Sequence, residues 1–348
     1  MLMGIIGLPR CGKSTLFTAL SGVWGEEQSH PVSRTEPRIA TVTVMDDRVN
    51  LLKEIYKPKK TTLAKIQYLL APQAPGDSGA AWDDGTWNRV RVCDGFLHVV
   101  RNFEDRAGTP ADPGKDFQRL EEDMIVNDLA VAEKRMERIE LDKKRGKKPE
   151  GDELRLVAAC REVLDGGQPL RHTPELAEHP ALRGFTFLTA KPVLIVVNND
   201  DEDESEPGGG GWPDDLERLV VRGRLEMDIA SMPPDEAEEF RVEYHIQTSV
   251  LDRVIKASYR LLDRISFFTV LSDEVRAWTV SSGTRALGAA GAVHSDMEKG
   301  FIRAETLSFE DLKSYGNFQE AKKGGAVRLE GKEYEVKDGD IINFRFNV

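Results

Sequence analysis

The chain opens on an apolar run, residues 2–6, followed at once by G-L-P-R-C-G-K-S-T (7–15) and then by L-F-T-A-L, whose apolar residues have helical spacing. That order predicts strand, glycine loop, helix. Residues 39–45 alternate and read as a strand, as does K-I-Q-Y-L-L-A at 65–71. F-L-H-V-V (96–100) and P-V-L-I-V-V (192–197) are unbroken apolar runs of the kind that parallel strands covered on both faces show. Strands separated by helical stretches predict an α/β domain with a doubly wound, mostly parallel sheet.

Between those last two runs the period changes. Ile125, Leu129, Ala132, Met136 and Ile139 are spaced 4, 3, 4 and 3, a heptad seam, and Leu154, Val157, Cys160 and Leu164 continue on a second helix after K-K-R-G-K-K-P-E-G. This predicts a coiled-coil-like helical hairpin at 117–183, inserted between the two parts of the α/β domain, 1–116 and 184–264. Short strand-like pieces at 267–271, 276–280, 326–329, 334–336 and 341–346, around one or two short helices, predict a separate α+β domain with a mixed sheet at 265–348.

The loop at 7–15 carries the chemistry. Gly7, Gly12, Lys13 and Ser14 meet the pattern GxxxxGK[ST] in its required setting between strand and helix. The glycines let backbone N–H groups approach phosphate oxygens, and the helix N-terminus adds partial positive charge. Lys13 is expected to reach the β- and γ-phosphates and the Ser14 hydroxyl to ligate Mg²⁺. The remaining loop residues, Pro9, Arg10, Cys11 and Thr15, complete a nucleoside triphosphate site.

Composition narrows the class. The 348 residues are 40% hydrophobic and 31% charged, as in soluble globular proteins. No run reaches the ~18 apolar residues of a bilayer span, and the N-terminus lacks signal-peptide order, so a cytoplasmic protein with no membrane partner is expected. Cys11, Cys93 and Cys160 lie in no C-x-x-C or Cys/His spacing, which excludes a disulfide framework and predicts reduced thiols. The six His residues have no metal-ligand spacing; His98, inside an apolar strand, reads as a core residue with satisfied nitrogens. Trp82 and Trp87 read as loop packing.

The net charge of −12 is unevenly placed. Asp200, Asp201, Glu202, Asp203, Glu204 and Glu206 supply six of the excess negative charges, in a run that ends in four glycines and reads as a surface loop. Residues 133–148 hold eight basic and four acidic side chains. Two readings stand there: a solvated helix face, or an RNA- or ribosome-facing tip at Lys143, Lys144, Arg145, Lys147 and Lys148.

V-R-A-W-T-V (275–280), H-S-D-M-E-K-G-F-I-R-A-E (294–305) and L-E-G-K-E-Y-E-V-K-D-G-D-I-I-N-F-R-F-N-V (329–348) closely resemble the terminal domain of the YchF/Obg-like ATPase family of P-loop NTPases. K-P-K-K (57–60), H-V-V-R-N-F-E-D (98–105) and L-T-A-K-P-V-L (188–194) resemble further landmarks of that family, so the likeness spans nearly the whole chain. The resemblance implies a P-loop domain, a helical insertion and a C-terminal ubiquitin-like TGS-type domain. It implies binding and hydrolysis of ATP, or of GTP, with Mg²⁺, and partners in the ribosome or RNA through the hairpin and TGS-like domain rather than DNA. It places Asn198, Asn199 and Asp201 at the base-reading N-x-x-E, and Phe103 as an aromatic beside the base. Asp201 and the neighbouring carboxylates leave ATP and GTP both open, with the resemblance favouring ATP.

The chain also departs from the family. Where relatives have D-x-A-G-L, this sequence reads L-L-A-P-Q, with Leu69 at the Mg²⁺-supporting Asp and Pro72 at the γ-phosphate-sensing Gly. Proline has no N–H to donate. Arg34 stands at the switch threonine with Thr35 one residue along, a secondary candidate Mg²⁺ ligand, and Arg89 stands nearest a histidine of the family. Gln73 follows Pro72 where many GTPases keep a water-orienting glutamine, and is the candidate catalytic residue. These changes predict retained binding with weak or altered hydrolysis, or a nucleotide-binding adaptor that has lost turnover.

Overall fold

In chain order the elements are β1 (Leu2–Ile6), α1 (Lys13–Ser21), β2 (Arg38–Thr43), α2 (Asp47–Tyr56), β3 (Lys60–Thr62), β4 (Lys65–Leu70), α3 (Asp84–Val90), β5 (Gly95–Asn102), α4 (Pro113–Lys144), α5 (Glu153–Asp165) and α6 (Pro174–Ala177). There follow β6 (Val193–Asn199), β7 (Arg218–Val221), α7 (Gly223–Ser231), α8 (Pro234–Glu243), α9 (Val250–Leu261), β8 (Arg264–Val270) and β9 (Glu274–Ser281). The chain ends with α10 (Ala286–Val293), α11 (Ser295–Lys299), β10 (Phe301–Leu307), α12 (Phe309–Tyr315), α13 (Phe318–Lys323), β11 (Arg328–Glu330) and β12 (Ile341–Phe346). This computed structural model describes residues 1–22, 36–72, 82–105, 108–146, 151–208, 210–243, 249–271 and 273–347. They fall into two units, Met1–Val42 with Gln67–Val254, and Thr43–Ile66 with Ile255–Val348.

The first sheet has the order β2-β4-β1-β5-β6-β7, with β1, β4, β5, β6 and β7 parallel. Every residue of β6 is buried, which is why this strand reads as an unbroken apolar run. Ile6, Leu69, Phe96, Val100, Ile195 and Val197 pack against Phe117, Leu120 and Met124 of α4. The start of α4 thus belongs to the core of the first unit. It begins on Pro113, with the Asp112 carboxylate accepting from the Lys115 N–H at 3.2 Å.

Further along, α4 packs on α5: Ile125 and Ala132 join Leu156, Val157, Cys160 and Leu164 in a second cluster, with Leu129 and Met136 partly buried beside it. The ion pairs Arg135–Glu153 (2.8 Å) and Arg161–Glu133 (3.7 Å) bridge the two helices. Asp128 of α4 is fully buried. Its carboxylate accepts from Arg91 Nη1 (2.9 Å), the Thr189 N–H (2.8 Å) and Thr189 Oγ1 (2.9 Å). That set ties the inserted helix to the turn after α3 and to the segment leading into β6.

The second sheet has the order β11-β10-β12-β8-β9-β3 and is mixed: β12 pairs with β8, and β3 with β9, in parallel, while the other pairs are antiparallel. Its core joins Phe267, Phe301, Ala304, Ile342 and Phe344 with Ala286, Ala289 and Ala290 of α10.

Four sequence expectations are corrected here. Residues 43–66, expected within the nucleotide domain, group with the C-terminal unit: β3 pairs Lys60 with Glu274 and Thr62 with Arg276. Arg48 of α2 forms an ion pair with Asp338 at 2.7 Å. A polar strand of three residues whose partner lies some two hundred residues away leaves no local periodicity. Residues 301–307 form the strand β10, hidden because F-I-R-A-E-T-L does not alternate cleanly. At 334–336 there is an isolated bridge, Arg285 to Glu335, in place of a strand. The C-terminal unit also holds the four short helices α10 to α13 after β9, where one or two were expected.

Candidate functional site

The loop after β1 is built around two glycines in conformations that L side chains rarely adopt. Gly7 has φ +152°, and a Cβ there would lie 2.3 Å from the Val99 carbonyl oxygen and 2.6 Å from Cys11 Sγ. Gly12 has φ +100°, and its Cβ would lie 2.1 Å from Asn198 Nδ2. Pro9 and Arg10 are exposed, Arg10 with φ +65°. α1 begins with no side-chain cap and no acidic residue in its first turn. Its first N–H groups and its dipole therefore face the loop as an anion cradle. Ser14 is exposed on that turn and Thr15 is half-buried.

Lys13 is buried, and its Nζ donates to the carbonyls of Gly7 (2.9 Å) and Leu8 (2.7 Å). Cys11 Sγ lies 3.9 Å from the same ammonium. Burial pushes the Cys11 thiol upward, with Lys13 opposing, so the group stays a thiol at neutral pH. Cys93 and Cys160 are likewise free and buried.

The ends of β5 and β6 stand side by side, with Arg101 level with Asn198 and Asn102 level with Asn199. Asn198 donates from Nδ2 to the Cys11 carbonyl (3.0 Å) and accepts at Oδ1 from the Gly223 N–H at the start of α7 (2.9 Å). One N–H and one lone pair of its amide remain. Asn199 accepts from Asn102 Nδ2 (2.9 Å) and donates to the carbonyls of Asp203 (3.0 Å) and Ser205 (2.8 Å), so it shapes the acidic loop. Asp201 Oδ1 accepts from the Leu225 N–H in the first turn of α7 (3.0 Å). Phe103, just past β5, is half-buried, and its carbonyl accepts from Arg101 Nη1 (3.2 Å). The site thus gathers 7–15, 198–201 and 102–103, together with Gly223 and Leu225. The last two escaped the sequence reading because α7 carries no motif, only the glycine that opens it.

Leu69 is 4% exposed and packs in the apolar core, and Pro72 is half-buried. Thr35, Arg34, Gln73, Lys147 and Lys148 lie outside the described residues. Lys143, Lys144 and Arg145 are exposed at the end of α4, and Arg89 is exposed on α3. Trp82 and Trp87 pack on each other at 4.8 Å between ring centres. His98 is fully buried, but among the described residues neither ring nitrogen has a hydrogen-bond partner, which corrects the expectation that they are satisfied. It packs against Phe117, 4.8 Å between ring centres. Burial first, then the positive charges of Arg171 and Lys13, push its pKa down to about 3, so the ring is neutral. Among the described residues no helix is long and apolar enough to cross a membrane.

Known proteins resemble this chain over nearly its whole length. The family described as YchF-GTPase_C, a protein of unknown function (DUF933), matches residues 264–347. The chain is 37% identical to the ribosome-binding ATPase YchF of Bacillus subtilis, and 36% identical to that of Escherichia coli O157:H7, over 99% of each chain. It is 33% identical to Obg-like ATPase 1 of Oryza sativa over 99% of this chain and 92% of that protein. The solved structure of the Schizosaccharomyces pombe YchF GTPase superposes with a TM-score of 0.81 at 27% identity, covering 99% of this chain and 97% of that one.

Proposed function

Because this chain belongs to the YchF family, we propose that it is a translation-associated P-loop protein that binds a nucleoside triphosphate with Mg²⁺ and turns it over slowly. The observation that carries the reading is the phosphate loop. Gly7 and Gly12 stand where any Cβ would collide, beside an uncapped helix start and a buried lysine. Gly7, Gly12, Lys13, Ser14 and Thr15 would hold the phosphates, with the Ser14 hydroxyl as a ligand of Mg²⁺, which supplies charge neutralisation between the phosphate oxygens. Lys13 would exchange the two loop carbonyls for phosphate oxygens.

On the base side, Asp201 has one carboxylate oxygen committed to α7. This weakens the paired acceptance that guanine recognition by an aspartate needs, and we favour ATP. Phe103, Asn198 and Asn199 line that end. Slow turnover follows from Leu69 and Pro72: the first offers no carboxylate to support Mg²⁺, and the second offers no N–H to sense the γ-phosphate. Those two residues equally favour a second reading, an adaptor that binds nucleotide and has lost hydrolysis. The relatives are named ribosome-binding ATPases. We assign the same partner here, met in the cytoplasm through the exposed basic end of α4 and the TGS-like C-terminal domain.

The deciding experiment titrates the full chain with Mg²⁺–ATP and Mg²⁺–GTP in parallel and then measures turnover. Binding that Lys13→Ala abolishes supports the site, and unchanged affinity in that variant overturns it. Turnover that rises in the Leu69→Asp, Pro72→Gly double variant supports the slow enzyme. No detectable turnover in either protein leaves the adaptor.

A further inference from the structure

Within the first unit, between α4, the turn Leu170–His172 and residues 211–216, lies a cavity of about 290 Å³. None of its lining residues belongs to the phosphate loop or to the strand ends at Phe103 and Asn198. Its apolar wall is made by Phe117 and Trp212, whose ring centres are 6.3 Å apart at 43°, with Pro169 and Leu216 beside them. Trp212 is half-buried, so its indole meets the cavity without being sealed in the core.

The polar groups of the wall are mostly engaged, with the buried Arg171 Nε–H lacking a hydrogen-bond partner among the described residues. Arg171 and Glu121, 8% and 12% exposed, are joined by a bidentate ion pair with contacts of 2.7 and 2.9 Å. His172 Nε2 stands 3.2 Å from Asp215, and the Gln118 amide donates to the Gly211 carbonyl at 3.3 Å. A charged guest would shed its hydration here and find the Arg171 guanidinium already ion-paired with Glu121, whereas a flat apolar one would gain contact with two aromatic rings. The volume sits at the small end of the ~300–1,000 Å³ range of ligand sites, which suits about two fused rings rather than a nucleotide.

We propose that this cavity is a binding site for a small, flat, uncharged aromatic molecule, separate from the nucleotide site. The test uses the full chain with indole as probe, indole-3-carboxylate as its charged counterpart, and saturation-transfer NMR with calorimetry as readouts, with and without Mg²⁺–ATP. Indole is expected to bind saturably at one site, about ten-fold or more tighter than the carboxylate, and equally with or without ATP. Leu216→Trp, which fills the space, is expected to weaken it at least about ten-fold, with nucleotide titrations unchanged. Should that variant fail to fold, Gln118→Trp narrows the same cavity from an exposed position of α4. Non-saturable binding, displacement by ATP, equal affinity for the carboxylate, or indifference to the filling variant would each overturn the assignment. Failure of ATP to bind would count against the phosphate loop alone, because the indole readout does not depend on it.

Discussion

The Asn198 side chain donates to the carbonyl of Cys11 at 3.0 Å, so the residue expected to read the base also holds the phosphate loop in place. Its Oδ1 accepts from the Gly223 N–H. Asn198→Ala would remove both bonds and leave a buried N–H unsatisfied, at a cost of about 1–3 kcal/mol. Denaturant unfolding is expected to show that loss. Nucleotide titration is expected to show weaker binding of ATP and GTP alike, since a loop that has lost its anchor holds phosphates less well whatever the base.

Gly12→Ala strikes the same contact from the other side. A methyl group 2.1 Å from Asn198 Nδ2, on a backbone at φ +100°, requires both the loop and the amide to move. Strain of this kind costs about 1–3 kcal/mol. Nucleotide affinity is expected to fall at least about ten-fold, as measured by calorimetry. Retention of wild-type affinity would show that the loop tolerates a side chain there.

Asp128 is the acidic partner of the buried Arg91, at 2.9 Å. Asp128→Ala would leave that guanidinium without its counter-charge, held by the Thr186 carbonyl and Asn127 Oδ1, and would strand two Thr189 donors; breaking a buried pair from one side costs about 3–5 kcal/mol. The double variant Arg91→Met, Asp128→Leu is expected to recover most of this loss in thermal unfolding. If the two single costs simply add, the pair is not coupled.

His98 makes stability sensitive to acid. Its pKa falls from 6.5 to about 3 on folding, so the unfolded chain binds a proton that the folded chain refuses. The stabilisation is full above the unfolded value and declines as pH drops from about 6.5 toward 3, by up to roughly 1.4 kcal/mol per pH unit. His98→Phe is expected to flatten the difference in unfolding free energy across that window. An unchanged pH slope would mean that the ring already charges in the folded protein.

Charge reversal at Lys143, Lys144 and Arg145 is expected to weaken co-sedimentation with ribosomes, more so at low salt, while leaving nucleotide binding intact. If co-sedimentation persists, those side chains are merely the solvated end of α4.

Legibility in the sequence followed locality. The glycine loop, the buried strands β5 and β6 and the α4–α5 seam each lie within one stretch of chain with its own period, and each was readable from Gly7, His98, Val196 or Ala132 and their neighbours. What escaped were relationships across the chain: Lys60 beside Glu274, Asn198 reaching both Cys11 and Gly223, and Asp128 meeting Arg91. None of these leaves a periodicity, because a side-chain amide or a three-residue strand is specified by its distant partner. The orphaned nitrogens of His98 belong to the same class, since its apolar neighbours identify a core position and say nothing of hydrogen bonds.

β3 sets a limit on dissection. The recognisable terminal family begins at residue 264, an inviting place to sever the chain, yet Glu274–Arg276 of β9 hydrogen-bond to Lys60–Thr62. A fragment starting there would expose a bare sheet margin and lose the Arg48 partner of Asp338. Such a margin is a template for a second molecule. The fragment should therefore self-associate, and supplying residues 43–66 as a separate peptide should restore a monomer.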